Sequence, residues 1–247
     1  MVTQSELHGL GPAALRSRLG DDFATDLADL VPGRLDIDVV VLNLVGAGYL
    51  LVVGRRPVIV AKLTPNWFFQ NFSIAHELGH LAYDSLCGQP LGGDAAERAA
   101  NQFAAELLMP ESQIRSIDWD DIDLPTVADR VWHWGVSAQA LRTRLNALGA
   151  TTRGDILNAL SGKTQALLRR HWQMPPGADP ITGRMMRASE RRFPNSLISR
   201  LETAVTMGNA PTASLAFALG VDENDLETDV PEGSSLVDDA LLLEGLI

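Results

Sequence analysis

Cysteine occurs once in this chain of 247 residues, at position 87. A lone thiol excludes an internal disulfide and suits a reducing compartment better than a disulfide-stapled secreted fold. Long apolar runs are missing too, with none near the roughly 18–20 residues that span a bilayer. The first twenty residues lack the basic start and apolar stretch of a secretory signal. Cytoplasmic placement without a membrane partner is the expectation. Histidine is scarce, at 5 residues, and the formal net charge is −11, which disfavours indiscriminate adhesion to nucleic acid. A hydrophobic content of 46% is enough for a full core in one large or two to three small domains.

Two of the few histidines stand four apart in His76-Glu77-Leu78-Gly79-His80. Positions four apart lie about 40° from one another around an α-helix, so both imidazoles can grip one ion. Glu77 leaves the same turn and is the candidate general base for water held by that ion. A catalytic zinc usually takes three protein ligands and keeps one position open. Downstream, Glu97 opens a second helix rich in alanine and leucine that Pro110 stops, and the glycines and proline of residues 86–94 fold it back on the first. Glu97 is the expected third ligand, and Glu106, about two and a half turns further on, competes for the role. A plainer reading of Glu97 is a solvated carboxylate at a helix N-terminus. Asn101, one turn beyond Glu97, is placed to hydrogen-bond a ligating histidine. The Tyr83 hydroxyl is either an oxyanion donor or a packing group. His133 and His171 are further candidates for that role, although a histidine between Trp132 and Trp134 reads as structural. Cys87 has no spacing partner for metal ligation and reads as an ordinary small residue. Gly79 reads as a point of close packing over the helix.

The segments SIAHELGH and ERAANQFAAELLMP together resemble the ImmA/IrrE family of zinc-dependent metallopeptidases, an HExxH helix followed by a helix of the form ExxANxFAxxLLMP. The resemblance is close over residues 30–112 and looser beyond. It implies one zinc ion held by His76, His80 and Glu97, with Glu77 as catalytic base. It also implies an intracellular peptidase with one chosen protein target, typically a helix-turn-helix repressor. An arginine common before the HExxH helix in that family is absent here, where residues 67–72 read WFFQNF.

Around the motif the pattern is that of an α+β chain. Short strands rich in valine, isoleucine and leucine are expected at 37–44, 49–53 and 58–63, with residues 54–57 in a turn. The resemblance implies a small-sheet, zincin-like core over residues 1–124. Strand 58–63 is either an exposed edge that accepts an extended substrate or an interior strand. Residues 125–175 form a helix-turn-helix-like segment, with Gly135-Val136-Ser137 as turn and Ser137 as N-cap. That pair either touches DNA directly or braces the peptidase and holds its target. Residues 176–247 make a helical C-terminal region, with helices at 197–207 and 212–219, a linker at 232–235 and an acidic, leucine-rich tail at 236–247. Charge is segregated. Residues 1–124 hold 8 basic and 17 acidic side chains, residues 125–200 hold 12 and 4, and residues 201–247 hold 0 and 10. The basic block meets the acidic tail, an external acidic surface, or only solvent.

The function expected from the sequence is zinc-dependent cleavage of a specific intracellular protein. The alternative is a DNA- or partner-binding regulator with a non-catalytic zinc site. A general digestive protease is disfavoured by the missing signal and cysteine framework.

Overall fold

The computed structural model describes residues 10–53, 56–86 and 93–226. Residues 87–92 of the turn expected at 86–94, Cys87 among them, the linker at 232–235 and the tail at 236–247 all lie outside those residues. The chain divides between Arg192 and Phe193 into two compact units.

The first unit is α+β. Helices α1 (Pro12–Leu19) and α2 (Leu27–Arg34) precede strands β1 (Asp38–Leu42), β2 (Gly48–Val53) and β3 (Arg56–Lys62). The sheet order is β1-β3-β2, with β3 parallel to β1 and antiparallel to β2. Strand β3 is therefore interior, the second of its two readings, and not an exposed edge. Its backbone is paired on both sides, from Asp38↔Val58 to Leu42↔Lys62 and from Gly48↔Ala61 to Val53↔Arg56. The edge beside the motif helix is β2, whose Tyr49, Leu51 and Val52 are exposed. Arg56 and Pro57, expected in a turn, pair into β3.

Helix α3 (Trp67–Leu86) carries the HExxH motif, and α4 (Asp94–Leu108) carries Glu97. Ile74, Ala75, Leu78 and Ala82 bury one face of α3, and Ala100, Phe103, Ala104 and Leu107 bury one face of α4. Both sets follow the i, i+3, i+4 spacing of an amphipathic helix. The C-terminal carbonyls of α4 at Leu107 and Leu108 accept from the Arg16 guanidinium of α1 at 2.8 and 3.3 Å, which satisfies groups that helix geometry leaves open.

A short α5 (Glu111–Arg115) leads to α6 (Leu124–Trp134) and α7 (Ala138–Ala147). The intervening turn forms at the expected residues. Gly135 closes α6 at φ 61°, and the Ser137 hydroxyl accepts from the Ala140 N–H at 3.0 Å. The Asn71 amide of α3 donates to the carbonyls of Ala24 and Gly135 at 2.8 and 3.1 Å, tying that turn to the motif helix. Helices α8 (Gly154–Leu160), α9 (Thr164–His171) and α10 (Pro180–Ala188) complete the unit. They share one hydrophobic core with the sheet and α3 through Ile156, Leu160, Leu168 and Ile181. In the second unit, α11 (Asn195–Thr206) and α12 (Thr212–Leu219) form a helical pair, with Phe193 and Phe217 in edge-to-face contact at 6.0 Å.

Gly79 sets the spacing of α3 and α4. A Cβ there would lie 2.9 Å from the Ala100 Cα, 3.0 Å from its carbonyl oxygen and 3.1 Å from the Phe103 Cβ. Gly79→Ala is expected to lower stability by about 1–2 kcal/mol, the overpacking cost outweighing the better helix propensity of alanine. By moving α4 off α3 it is also expected to weaken metal affinity. Denaturant melts and metal titration read both effects, and a variant equal to wild type in both would contradict the packing account.

Candidate metal centre

The helical period brings His76 and His80 onto one face of α3, with their Nε2 atoms 3.1 Å apart. The first turn of α4 lays Glu97 across them. Its Oε2 lies 3.2 Å from His76 Nε2 and its Oε1 lies 3.3 Å from His80 Nε2. These three residues form the cluster of potential metal donors among the described residues, with all ligand atoms within 4.8 Å of one another. A tetrahedral ion bonded at about 2.0–2.1 Å holds its donors about 3.3 Å apart. The two imidazole nitrogens stand close to that spacing, and each has a different oxygen of the Glu97 carboxylate at a similar distance.

The tautomer also suits a ligand. His76 Nδ1 faces Asn101 Oδ1 at 3.1 Å. Since that oxygen can only accept, Nδ1 carries the hydrogen and the Nε2 lone pair is left toward Glu97 and His80. Asn101 lies one turn after Glu97, so a single helix face supplies both the carboxylate and the group that orients the imidazole.

Glu77 points from α3 toward the start of β2 and is only 9% exposed. A Cβ on Gly48 would stand 3.4 Å from its Oε1 and 3.2 Å from the Val60 carbonyl, so the absent side chain at residue 48 leaves the carboxyl its place. Burial raises the Glu77 pKa from its ordinary value, His76 opposes that rise and Glu97 adds to it.

Glu106, the competitor for third ligand, is elsewhere. It pairs with Arg144 and accepts the Glu111 N–H at 3.2 Å. The Tyr83 ring packs edge-to-face on Phe103 at 6.1 Å, and Tyr83 is not among the residues lining the cleft. His133 is exposed on α6, where its Nδ1 lies 2.9 Å from the Asp129 carbonyl, and His171 lines a separate depression with Lys163 and Arg170.

The cleft around the trio has a volume of about 580 Å³, and its walls include residues the sequence reading passed over: Tyr49 from β2, and Phe69, Phe72 and Ser73 from α3. The three α3 residues were findable. Phe69 and Phe72 stand seven and four positions before His76, and Ser73 seven before His80, so all share the metal-facing stripe. Tyr49 gave no such signal. Its hydroxyl donates to the Val45 carbonyl at 2.6 Å, curling the ring over the turn that precedes β2.

A metal ion held by this trio depends on both imidazoles. Gently purified wild type is expected to carry about one divalent ion per chain, and His80→Ala almost none. Elemental analysis of both proteins at matched folding checks this, and equal metal content in the two would count against the trio.

No curated protein matches the chain. Residues 34–146 match the family model of the IrrE N-terminal-like domain, Peptidase_M78, a span that includes the whole sheet, the three donors and Glu77. Residues 34–146, with the His-His-Glu cluster among them, are thus similar to an IrrE N-terminal-like domain, a match that supports kinship with the ImmA/IrrE family.

Proposed function

We propose that this protein is a zinc-dependent endopeptidase in which His76, His80 and Glu97 hold one zinc ion and Glu77 is the general base. The observation that carries the reading is the compact three-residue donor cluster, with a buried carboxyl one residue along the same helix. Two imidazole nitrogens and one carboxylate oxygen suit zinc, and a three-residue set is what catalytic rather than structural sites use. When bound, zinc would polarise the scissile carbonyl and bring the pKa of a bound water from about 15.7 toward 7.

The chain's own residues supply the rest. Asn101 fixes the His76 ring, and Glu97 neutralises charge from the first turn of α4, where the helix dipole favours a carboxylate. Glu77 takes the proton from the attacking water and delivers it to the departing amine. Its raised pKa suits a group that must bind a proton and release it again within one turnover. Strand β2 is the edge on which a substrate segment adds in extended form, since Gly48, Tyr49 and Leu50 wall the cleft beside Glu77.

The substrate we propose is a specific cytoplasmic protein, a helix-turn-helix repressor, on the strength of the family resemblance. No helix among the described residues is long and apolar enough to cross a membrane. The DNA-binding alternative is weakened by how the basic block is used. Arg144 is taken by Glu106, Arg153 by Asp155, Arg169 by Asp179, and Arg187 and Arg192 by Asp26. Arg142 donates to the Ser161 hydroxyl at 2.6 Å.

Glu77→Gln keeps the shape of the residue and removes its basicity. It is expected to retain zinc while losing about 10²–10⁴-fold in peptide hydrolysis. Cleavage assays on metal-matched samples check this, and undiminished hydrolysis would assign the base elsewhere.

A further inference from the structure

A second cavity, of about 830 Å³, opens beside the metal cleft between α3, α4 and α7. Phe69, Phe72 and Asn101 line both spaces, so the two form one continuous surface. The room comes from side-chain size. Helix α7 turns Ala140, Thr143 and Ala147 toward the cavity, three and four positions apart and therefore on one face. Opposite them α3 contributes Phe68, Phe69 and Phe72. Phe69 is 42% exposed, a large aromatic left at the junction of the two spaces.

The charges that reach the cavity are already satisfied. Arg144 pairs with Glu106 and donates to the Met109 carbonyl, and Glu111 pairs with Arg115 at 2.6 Å. A ligand there meets mainly apolar wall, and a charged group entering would lose water without gaining a partner.

We propose that this cavity receives large apolar side chains of the polypeptide substrate close to the scissile bond and so sets the specificity of cleavage. The inference rests on the peptidase reading and extends it by naming what the cleft selects. The volume lies within the roughly 300–1,000 Å³ of cavities that enclose a ligand, and it exceeds what one side chain fills. Two or more apolar anchors therefore enter together, while the chain between them passes the donor trio. Ala140 is the specificity-determining position, because its methyl group leaves the space that a larger residue would close.

The zinc-loaded full chain is incubated with a peptide library made from a digested proteome, and the cut sites are read by mass spectrometry. Leucine, phenylalanine, methionine, isoleucine or tryptophan is expected to be enriched about tenfold at a fixed position beside the cut bond. Ala140→Trp, which fills the cavity, is expected to erase that preference. Cleavage by Ala140→Trp with the preference unchanged overturns the cavity's role and leaves the peptidase reading standing.

A second arm needs no turnover. In the Glu77→Gln background, a fluorescent short peptide amide rich in leucine and phenylalanine is expected to bind about tenfold tighter than its alanine counterpart, and Ala140→Trp to remove the difference. Equal binding of the two peptides overturns the inference. Selective binding lost in Ala140→Trp supports the cavity even where wild type cuts no library peptide, since a peptidase confined to one protein target need not cut fragments of others. Should Ala140→Trp fail to melt cooperatively, Ala147→Phe, exposed on the same face, fills the cavity from its rim.

Discussion

The contact between α3 and α4 at Gly79 and Ala100 is the constraint on which the site depends. One helix supplies two imidazoles and a buried carboxyl, but it cannot also aim a third donor back at them. That donor has to arrive from a neighbouring helix at a distance fixed to a few tenths of an ångström. Gly79 has no side chain, so the Ala100 backbone comes to where a Cβ would stand at 2.9 Å. One turn before Ala100, Glu97 then reaches both Nε2 atoms at 3.2 and 3.3 Å. Arg16 holds the far end of α4 by its last carbonyls, and Asn71 holds α3 against the Gly135 turn. The geometry of the three potential donors is thus set by packing on two sides of the helix pair rather than by the donors alone.

The same framework shapes the approach to the site. Strand β2 offers an open edge next to Glu77, while the α7 face of small residues leaves an apolar chamber next to the histidines. An extended segment laid along the first can drop bulky side chains into the second. Several side chains of the basic block of residues 125–200, for which an external partner was one reading, are engaged within the first unit. Arg187 and Arg192 reach back to Asp26, and Arg184 stacks over Trp132 at 3.5 Å while donating to its carbonyl at 2.9 Å. Burial lowers the Arg184 pKa to about 10, and Asp26 and Asp22 only partly offset this. Such a guanidinium serves cohesion, with Trp172 stacked on the same Trp132 at 4.0 Å.

What could be read from the sequence follows from range. His76 and His80 obey a single helical period, so their shared face, with Glu77 on the same turn, was visible in five residues. The joint at Gly135 to Ser137 was visible because caps and left-handed glycines act locally. The order of the strands was not. Residues 38–42 and 58–62 are both near-continuous apolar runs, and nothing in such a run tells an interior strand from an edge. That is why β3 could be read as an edge and Tyr49 escaped notice. The ion pairs from Asp26 to Arg187 and Arg192 were equally hidden, since they join residues some 160 positions apart.

The most direct test of the central claim is zinc K-edge absorption on the full chain loaded with one equivalent of zinc. The account predicts a first shell of nitrogen and oxygen at about 2.0–2.1 Å with the scattering of two imidazoles and no sulfur. A sulfur contribution at about 2.3 Å, or a shell lacking two imidazoles, would contradict it.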